Sequence, residues 1–420
     1  MVRRFRLVAS GAVVLAVCGF VTGAQASTTF TMTLVANDRS TSEPGIDVAP
    51  DGTLYVNGPS GLLSNLPGSP SFVWRSRDDG VSWAETPADL RANLPGGGDS
   101  DLSIDTSGGL HLTDLWLGSA TVSRSTDQGE TWLADPVEGV VVQDRQWIAA
   151  SSTGIVYHAT HQIPAGLVVS KSVDGGLTFP IQSVAATPLD QTGCVCPPGN
   201  LVAAPGTSAL GSDDKVGLVY ATSTGGVNFA RSTDGGLTFT TSTVASPSAA
   251  DTTTNFPVVA DAGNGRLVAV WLAVHNGASS VLFGTSPDWG QTWGVPRTIV
   301  ASGTPVYPWV AAHGAKVSIA MYRAPDVRVT PDTVPDGTKF FETYLESTDG
   351  GTTFAPIATV DPNPVKIGPV CTGGANCSGD RQLGDFQQVA IDNAGRPVMS
   401  YIRVDPGVPG GVDVMFARGS

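Results

Sequence analysis

The chain has 420 residues, with 41% hydrophobic and 14% charged side chains, 51 glycines and 30 prolines, a composition too apolar for disorder and one that favours a turn-rich, all-β protein. Its formal charge of −14 repels nucleic acid and anionic membrane surfaces, so neither is an expected partner.

Residues Met1 to Ala26 read as a secretory signal. Arg3, Arg4 and Arg6 precede an apolar run from Leu7 to Val21, and Ala24-Gln25-Ala26 offers a small-residue site for cleavage after Ala26. Loss of those three arginines takes the formal charge to −17. A lipid anchor on Cys18 is the alternative, disfavoured by Val17 immediately before it. No later apolar run is long enough to span a bilayer. The expectation is an exported protein without membrane insertion.

From Phe30 onward two patterns alternate. A strand-forming segment Phe30 to Ala36 is followed by apolar hairpins at Gly45 to Val56, Leu102 to Leu115, Trp147 to His158, Leu201 to Tyr220, Phe256 to Trp271, Trp309 to Tyr322 and Gln388 to Tyr401. Behind the first six hairpins stands an octapeptide of the form Ser-x-Asp-x-Gly-x-(Ser/Thr)-(Trp/Phe): Ser76 to Trp83, Ser125 to Trp132, Ser172 to Phe179, Ser232 to Phe239, Ser286 to Trp293 and Ser347 to Phe354. Short polar side chains that bond nearby backbone N–H groups, with a Gly supplying positive φ, make each octapeptide a hairpin turn.

Each hairpin plus its octapeptide turn amounts to a four-stranded sheet, the blade of a propeller. The seventh hairpin is followed by a third strand, Val412 to Arg418, and then the sequence stops. Phe30 to Ala36 resembles the residues that follow an octapeptide, such as Phe239 to Ala245, so it is expected to supply the missing strand and cover two open edges at once. The fold expected is an all-β, seven-bladed β-propeller, one domain over residues 27–420, monomeric, with blades starting near 43, 99, 144, 200, 255, 307 and 385.

The octapeptide resembles the Asp-box, the bacterial neuraminidase repeat of sialidases and related β-propellers. The resemblance implies that the boxes themselves are structural, on outer hairpins away from the active site. It implies an acidic extracellular glycan or glycoprotein as partner, three arginines on a sugar carboxylate, a Tyr nucleophile and an Asp acid/base. The Phe/Tyr-Arg-Ile-Pro motif of sialidases is absent, the corresponding strand reading Ser42-Glu43-Pro44-Gly45-Ile46. Arg145 with Trp147, and the stretch Cys371 to Asp385, are similar to exported sialidase-like proteins.

Ligands of propellers sit at a mouth made by loops entering first strands and leaving second strands. The entering set is Glu43, Asp99, Asp101, Asp144, Arg145, Asn255, Tyr307, Arg381 and Asp385; the leaving set is Asp114, His158, His161, His275, Arg323 and Arg403. From these, Tyr307 is the candidate nucleophile, with Asp101, Asp144 and Asp385 as proton donor or acceptor. Arg145, Arg323 and Arg403 are the candidate carboxylate clamp. In the alternative reading, a lyase on a uronic-acid glycan, Tyr307 or His158 is the candidate base, and Trp147 and Trp309 are candidate sugar platforms. A non-catalytic binding propeller is the rival reading. No cofactor and no metal are expected: His158 and His161 share a strand face, but no zinc motif accompanies them. The segment Ala324 to Lys339 reads as a lid over the mouth or a solvated excursion. Four cysteines, Cys194, Cys196, Cys371 and Cys377, are expected to form two disulfides in an oxidising compartment, with Cys371 to Cys377 the preferred local pair.

Overall fold

The computed structural model describes residues 28–39, 41–61, 70–88, 91, 94, 96–116, 119–137, 143–162, 165–187, 198–247, 256–405 and 411–420. The segment expected to be a signal, Cys194, Cys196 and Asn255 lie outside the described residues. Seven antiparallel sheets form the blades of a propeller, and no α-helix occurs among the described residues. Blade 1 runs through Gly45–Val48, Leu54–Gly58, Phe72–Ser76 and Ala84–Glu85 in spatial order. Blades 2 to 6 repeat that order, starting with Ser100–Ile104, Gln143–Ser152, Pro198–Ala204, Val258–Gly263 and Thr304–His313. Strand Ile155–Gln162 is buried at all eight positions, because a blade is covered on both faces by its neighbours and its central strands have no solvent side.

Blade 7 is composite, as expected. Gln388–Ile391, Pro397–Val404 and Val412–Gly419 are completed by Phe30–Arg39, paired antiparallel with Val412–Gly419 from Phe30 opposite Gly419 onward.

The six octapeptides close the third and fourth strands of blades 1 to 6 through one repeated bond set. In the first, Gly80 N donates to Ser76 Oγ (2.9 Å), Ser76 Oγ donates to Asp78 Oδ1 (2.8 Å), and Ser82 gives its N–H to Asp78 Oδ1 (2.9 Å) and its hydroxyl to Oδ2 (2.5 Å). The same four bonds recur around Asp127, Asp174, Asp234, Asp288 and Asp349. These donors hold Asp78 down at about 2. Gly290 shows why the fifth position is glycine: its φ is 71°, and an added Cβ would run into the Phe229 ring of the preceding blade.

Basic side chains just ahead of the octapeptide serine bind the next blade's turn. Arg75 Nη1 donates to Gln128 O (2.5 Å) and Arg124 Nη1 to Asp174 O (3.2 Å). Arg418, in the corresponding place of blade 7, donates to Asp79 O (2.6 Å), and the Asp79 carboxylate pairs with Arg418 (3.0 Å) and Arg396 (3.1 Å). Ring closure therefore rests on this basic junction as well as on the shared sheet.

At the axis the first strand of each blade has a free edge whose N–H groups need partners. Side chains of the preceding blade supply them: Gln388 Oε1 accepts from Ile46 N (3.0 Å), Asp47 Oδ2 from Ile104 N (2.9 Å), Asp101 Oδ2 from Ile148 N (3.0 Å) and Asn200 Oδ1 from Val259 N (2.8 Å). Burial pushes Asp47 up to about 7 and Asp101 up to about 6. Such carboxyls bind their protons more tightly folded than unfolded, so their contribution is complete below the ordinary carboxylate range and is lost as pH rises through 6 to 7. The thermal midpoint should fall between mildly acidic and neutral pH, and Asp47→Asn should make that fall shallower. An unchanged slope in the variant would remove Asp47 from this account.

Candidate functional site

The central channel is plugged. Trp147 of blade 3, Phe256 ahead of blade 5, Trp309 of blade 6 and Phe386 ahead of blade 7 meet at the axis. The Trp147 ring lies 5.5 Å from Trp309, 5.3 Å from Phe386 and 5.9 Å from Phe256. Trp147 Nε1 donates to Pro198 O of blade 4 (2.9 Å), so the indole is both packed and satisfied. A ligand on this side meets a closed floor, not a pore.

Arg145 lies on that floor, its guanidinium 3.9 Å from the Trp147 ring and 4.4 Å from Phe386. Its Nη1 stands 3.6 Å from Asp99 Oδ2 and 3.9 Å from Glu43 Oε2. These are ion pairs without hydrogen bonds: among the described residues, none of the three buried guanidinium nitrogens has a hydrogen-bond partner. Glu43 is shared with a second arginine, Arg381, whose Nη2 is 3.8 Å from Glu43 Oε1 and 2.6 Å from Asp385 Oδ2. Asp385 N also donates to Glu43 Oε1 (3.1 Å). Charges thus alternate through Asp99, Arg145, Glu43, Arg381 and Asp385, drawn from blades 2, 3, 1 and 7.

The backbone at the site is strained. Glu43 and Tyr307, neither a glycine, have φ of 50° and 51°, a conformation that costs on the order of 1–3 kcal/mol and persists only where the surroundings impose it. At Gly384, with φ of 71°, an added Cβ would collide with Glu43 Cγ, so the close approach of this turn holds the carboxyl in place.

Burial, reinforced by Asp99 and Asp385, holds Glu43 well above the ordinary carboxylate range. Burial likewise raises Asp385. Asp144 opens to solvent as a residue, yet crowding around its carboxyl, with Asp99 beside it, pushes it up to about 6. The mouth therefore holds carboxyls raised to different degrees, Glu43 well above its ordinary range and Asp144 at about 6, next to two arginines.

Of the residues expected from the sequence, Asp144, Arg145, Tyr307 and Asp385 come together here. Tyr307 is only 4% exposed, donates its hydroxyl to Cys371 O (3.1 Å), and is held well above its ordinary value by burial and by Asp385. Asp101 is a blade staple, bonded to Ile148 N and to Gln388 Nε2 (3.2 Å). Trp147 and Trp309 are the plug itself, not open platforms.

The three arginines expected as one clamp hold separate partners. Arg323 donates to Ser302 O (2.8 Å) and Oγ (2.9 Å), and Arg403 pairs with Asp413 (2.8 Å) and the buried Asp361 (3.5 Å). Both end second strands, which lie one strand spacing of about 4.8 Å farther from the axis, and each finds an acceptor locally. His158 is buried inside the blade, bonded to Thr113 Oγ1 (2.9 Å), and burial depresses it to about 3. Glu43 and Arg381 join instead. Both stand at entering positions, but the sequence assigns them no role because their link exists only across the ring.

The segment after Ala324 is docked. Ser279 N donates to Val329 O (3.1 Å), Thr304 Oγ1 to Val327 O (2.9 Å), and Asp332 accepts from Thr372 N and Oγ1 (both 2.9 Å). It forms a wall beside the Cys371–Cys377 disulfide, which is present as expected, and is not a solvated excursion.

No family model matches the chain, and no curated protein matches it in sequence. Solved structures match it in fold. A Dyadobacter fermentans protein of unknown function is 15% identical, with 93% of this chain and 97% of that chain covered at a TM-score of 0.52. A mutant α-L-arabinofuranosidase from Fusarium graminearum, in complex with an iminosugar inhibitor, is 13% identical over 93% and 98% at 0.51. An ulvan lyase bound to a glucuronate–rhamnose sulfate repeat is 12% identical over 90% and 95% at 0.51. What this chain shares with all three is the fold, carried over nearly the whole length of each.

Proposed function

We propose that this propeller is an exported glycan-acting protein that binds a sugar chain above the aromatic plug and hydrolyses a glycosidic bond there. The observation that carries the reading is the buried Arg145, without a hydrogen bond among the described residues, in a cluster of carboxyls contributed by four blades. Its N–H donors are available to sugar oxygens once Asp99 and Glu43 shift, and Asp144 is the accessible carboxyl with the protonation a general acid needs. Asp99 and Asp385 are the candidate bases. The carbohydrate-active propellers among the similar structures support the substrate class by analogy of fold.

The charge at the mouth bears on the kind of glycan. Four carboxyls face two arginines, and both arginines already hold acids, so a sialoside or uronate has to displace those acids to be gripped. This favours neutral sugars over the acidic glycan that the Asp-box resemblance implies. Tyr307, buried and bonded to a carbonyl, is not placed as a nucleophile in this arrangement. A binding module without turnover is the second reading, favoured by the burial of Glu43 and Tyr307.

The test is a screen of neutral arabinans and xyloglucans, uronic-acid polysaccharides and sialosides. Reducing ends without new ultraviolet absorbance are the expected result on a neutral glycan. An unsaturated product would replace hydrolysis by elimination, and binding without turnover would leave the module reading.

A further inference from the structure

We propose that the Cys371–Cys377 disulfide is a reducible clamp that holds the site-bearing turn Asp380 to Asp385 against the mouth. Three contacts connect the bridge to the site. Cys371 O accepts the Tyr307 hydroxyl (3.1 Å), Cys371 N donates to Asp380 O (3.2 Å), and the adjoining Thr372 is tied to Asp332 of the docked wall by two bonds of 2.9 Å. The turn that follows delivers Arg381 and Asp385, which pair with each other and with Glu43. Apart from these bonds the segment has little regular structure, its one helical turn being the short 3-10 element Gly374–Asn376 inside the disulfide loop.

The bridge is open to attack. Both cysteines are partly exposed, and Asn376, Ser378, Gly379 and Asp380 around them are exposed. A dithiol reductant would give two electrons and two protons to the sulfur–sulfur bond, leaving two thiols and closing its own pair into a disulfide. With the loop cut open, the Cys371 carbonyl is no longer held over Tyr307, and the entropy of the freed segment favours release of Arg381 from Glu43 and Asp385. The consequence for glycan binding rests on the function proposed above; the clamp itself does not.

Limited trypsinolysis reads the clamp directly, since Arg381 precedes a cleavable bond that its ion pairs shield. The full exported protein is reduced under native conditions, alkylated with iodoacetamide, and digested beside the oxidised form, with cleavage at the Arg381–Gln382 bond followed by mass spectrometry. Cleavage should become at least about tenfold faster on reduction, following the population of the opened loop. The Cys371→Ser/Cys377→Ser variant should be cut at the faster rate without reductant, which separates this bridge from the other cysteines. Equal rates in oxidised and alkylated protein overturn the proposal, even if the double variant fails to fold. Faster cleavage with unchanged binding of a glycan found in the screen would uphold the clamp and overturn the placement of the glycan site.

Discussion

Arg145→Ala should destabilise the folded protein by about 3–5 kcal/mol, the usual cost of removing one partner from a buried ion pair. The guanidinium is 2% exposed, lies between Glu43 and Asp99, and covers the faces of Trp147 and Phe386. Its loss leaves two carboxyls facing a cavity over an apolar floor. Glu43 escapes part of the cost by keeping its proton, so the loss should be greater at alkaline than at mildly acidic pH. Arg145→Met with Glu43→Gln, which restores volume and removes a charge, should recover part of the stability. Urea unfolding at two pH values measures all of this. A loss under about 1 kcal/mol, the scale of a solvent-exposed pair, would mean that the guanidinium does not hold the mouth together.

Asp144→Asn should cut turnover of a cleavable glycan by about 10²–10⁴-fold while leaving its binding nearly intact, because a general acid acts on the leaving oxygen chiefly in the transition state. Asp144 is the one member of the cluster for this role that is both open to solvent and pushed up to about 6. As proton donor it must be protonated, so the wild-type rate should decline as pH rises through that value, and the variant should lose this limb. A variant with unchanged turnover assigns proton donation elsewhere. Equal losses of turnover and binding would make Asp144 a ligand contact and not an acid.

The Asp-containing octapeptides made the blade count legible because each is a local object. Ser76, Asp78, Gly80 and Ser82 bond among themselves within seven residues, so their spacing carries the geometry with it. Ring closure was legible for a related reason: Phe30 to Ala36 has the pattern of a strand that follows an octapeptide, and it pairs with Val412–Gly419. The disulfide between Cys371 and Cys377 is equally local.

The candidate site is the opposite case. Which of the seven arginine and histidine side chains in the entering and leaving sets reach the axis depends on distance from it, and sequence position does not encode that distance. Arg323 and Arg403 have the right residue type and strand-end position, yet Ser302, Asp361 and Asp413 engage them where they stand. By sequence alone, residues 27–420 determine seven blades, their closure and the set of loops that face the mouth, because hairpin turns and strand patterns are short-range. Only the closed ring brings Glu43 of blade 1, Arg145 of blade 3 and Arg381 of blade 7 together over Trp147, since their interaction spans more than three hundred residues of chain and exists only once every blade between them has packed.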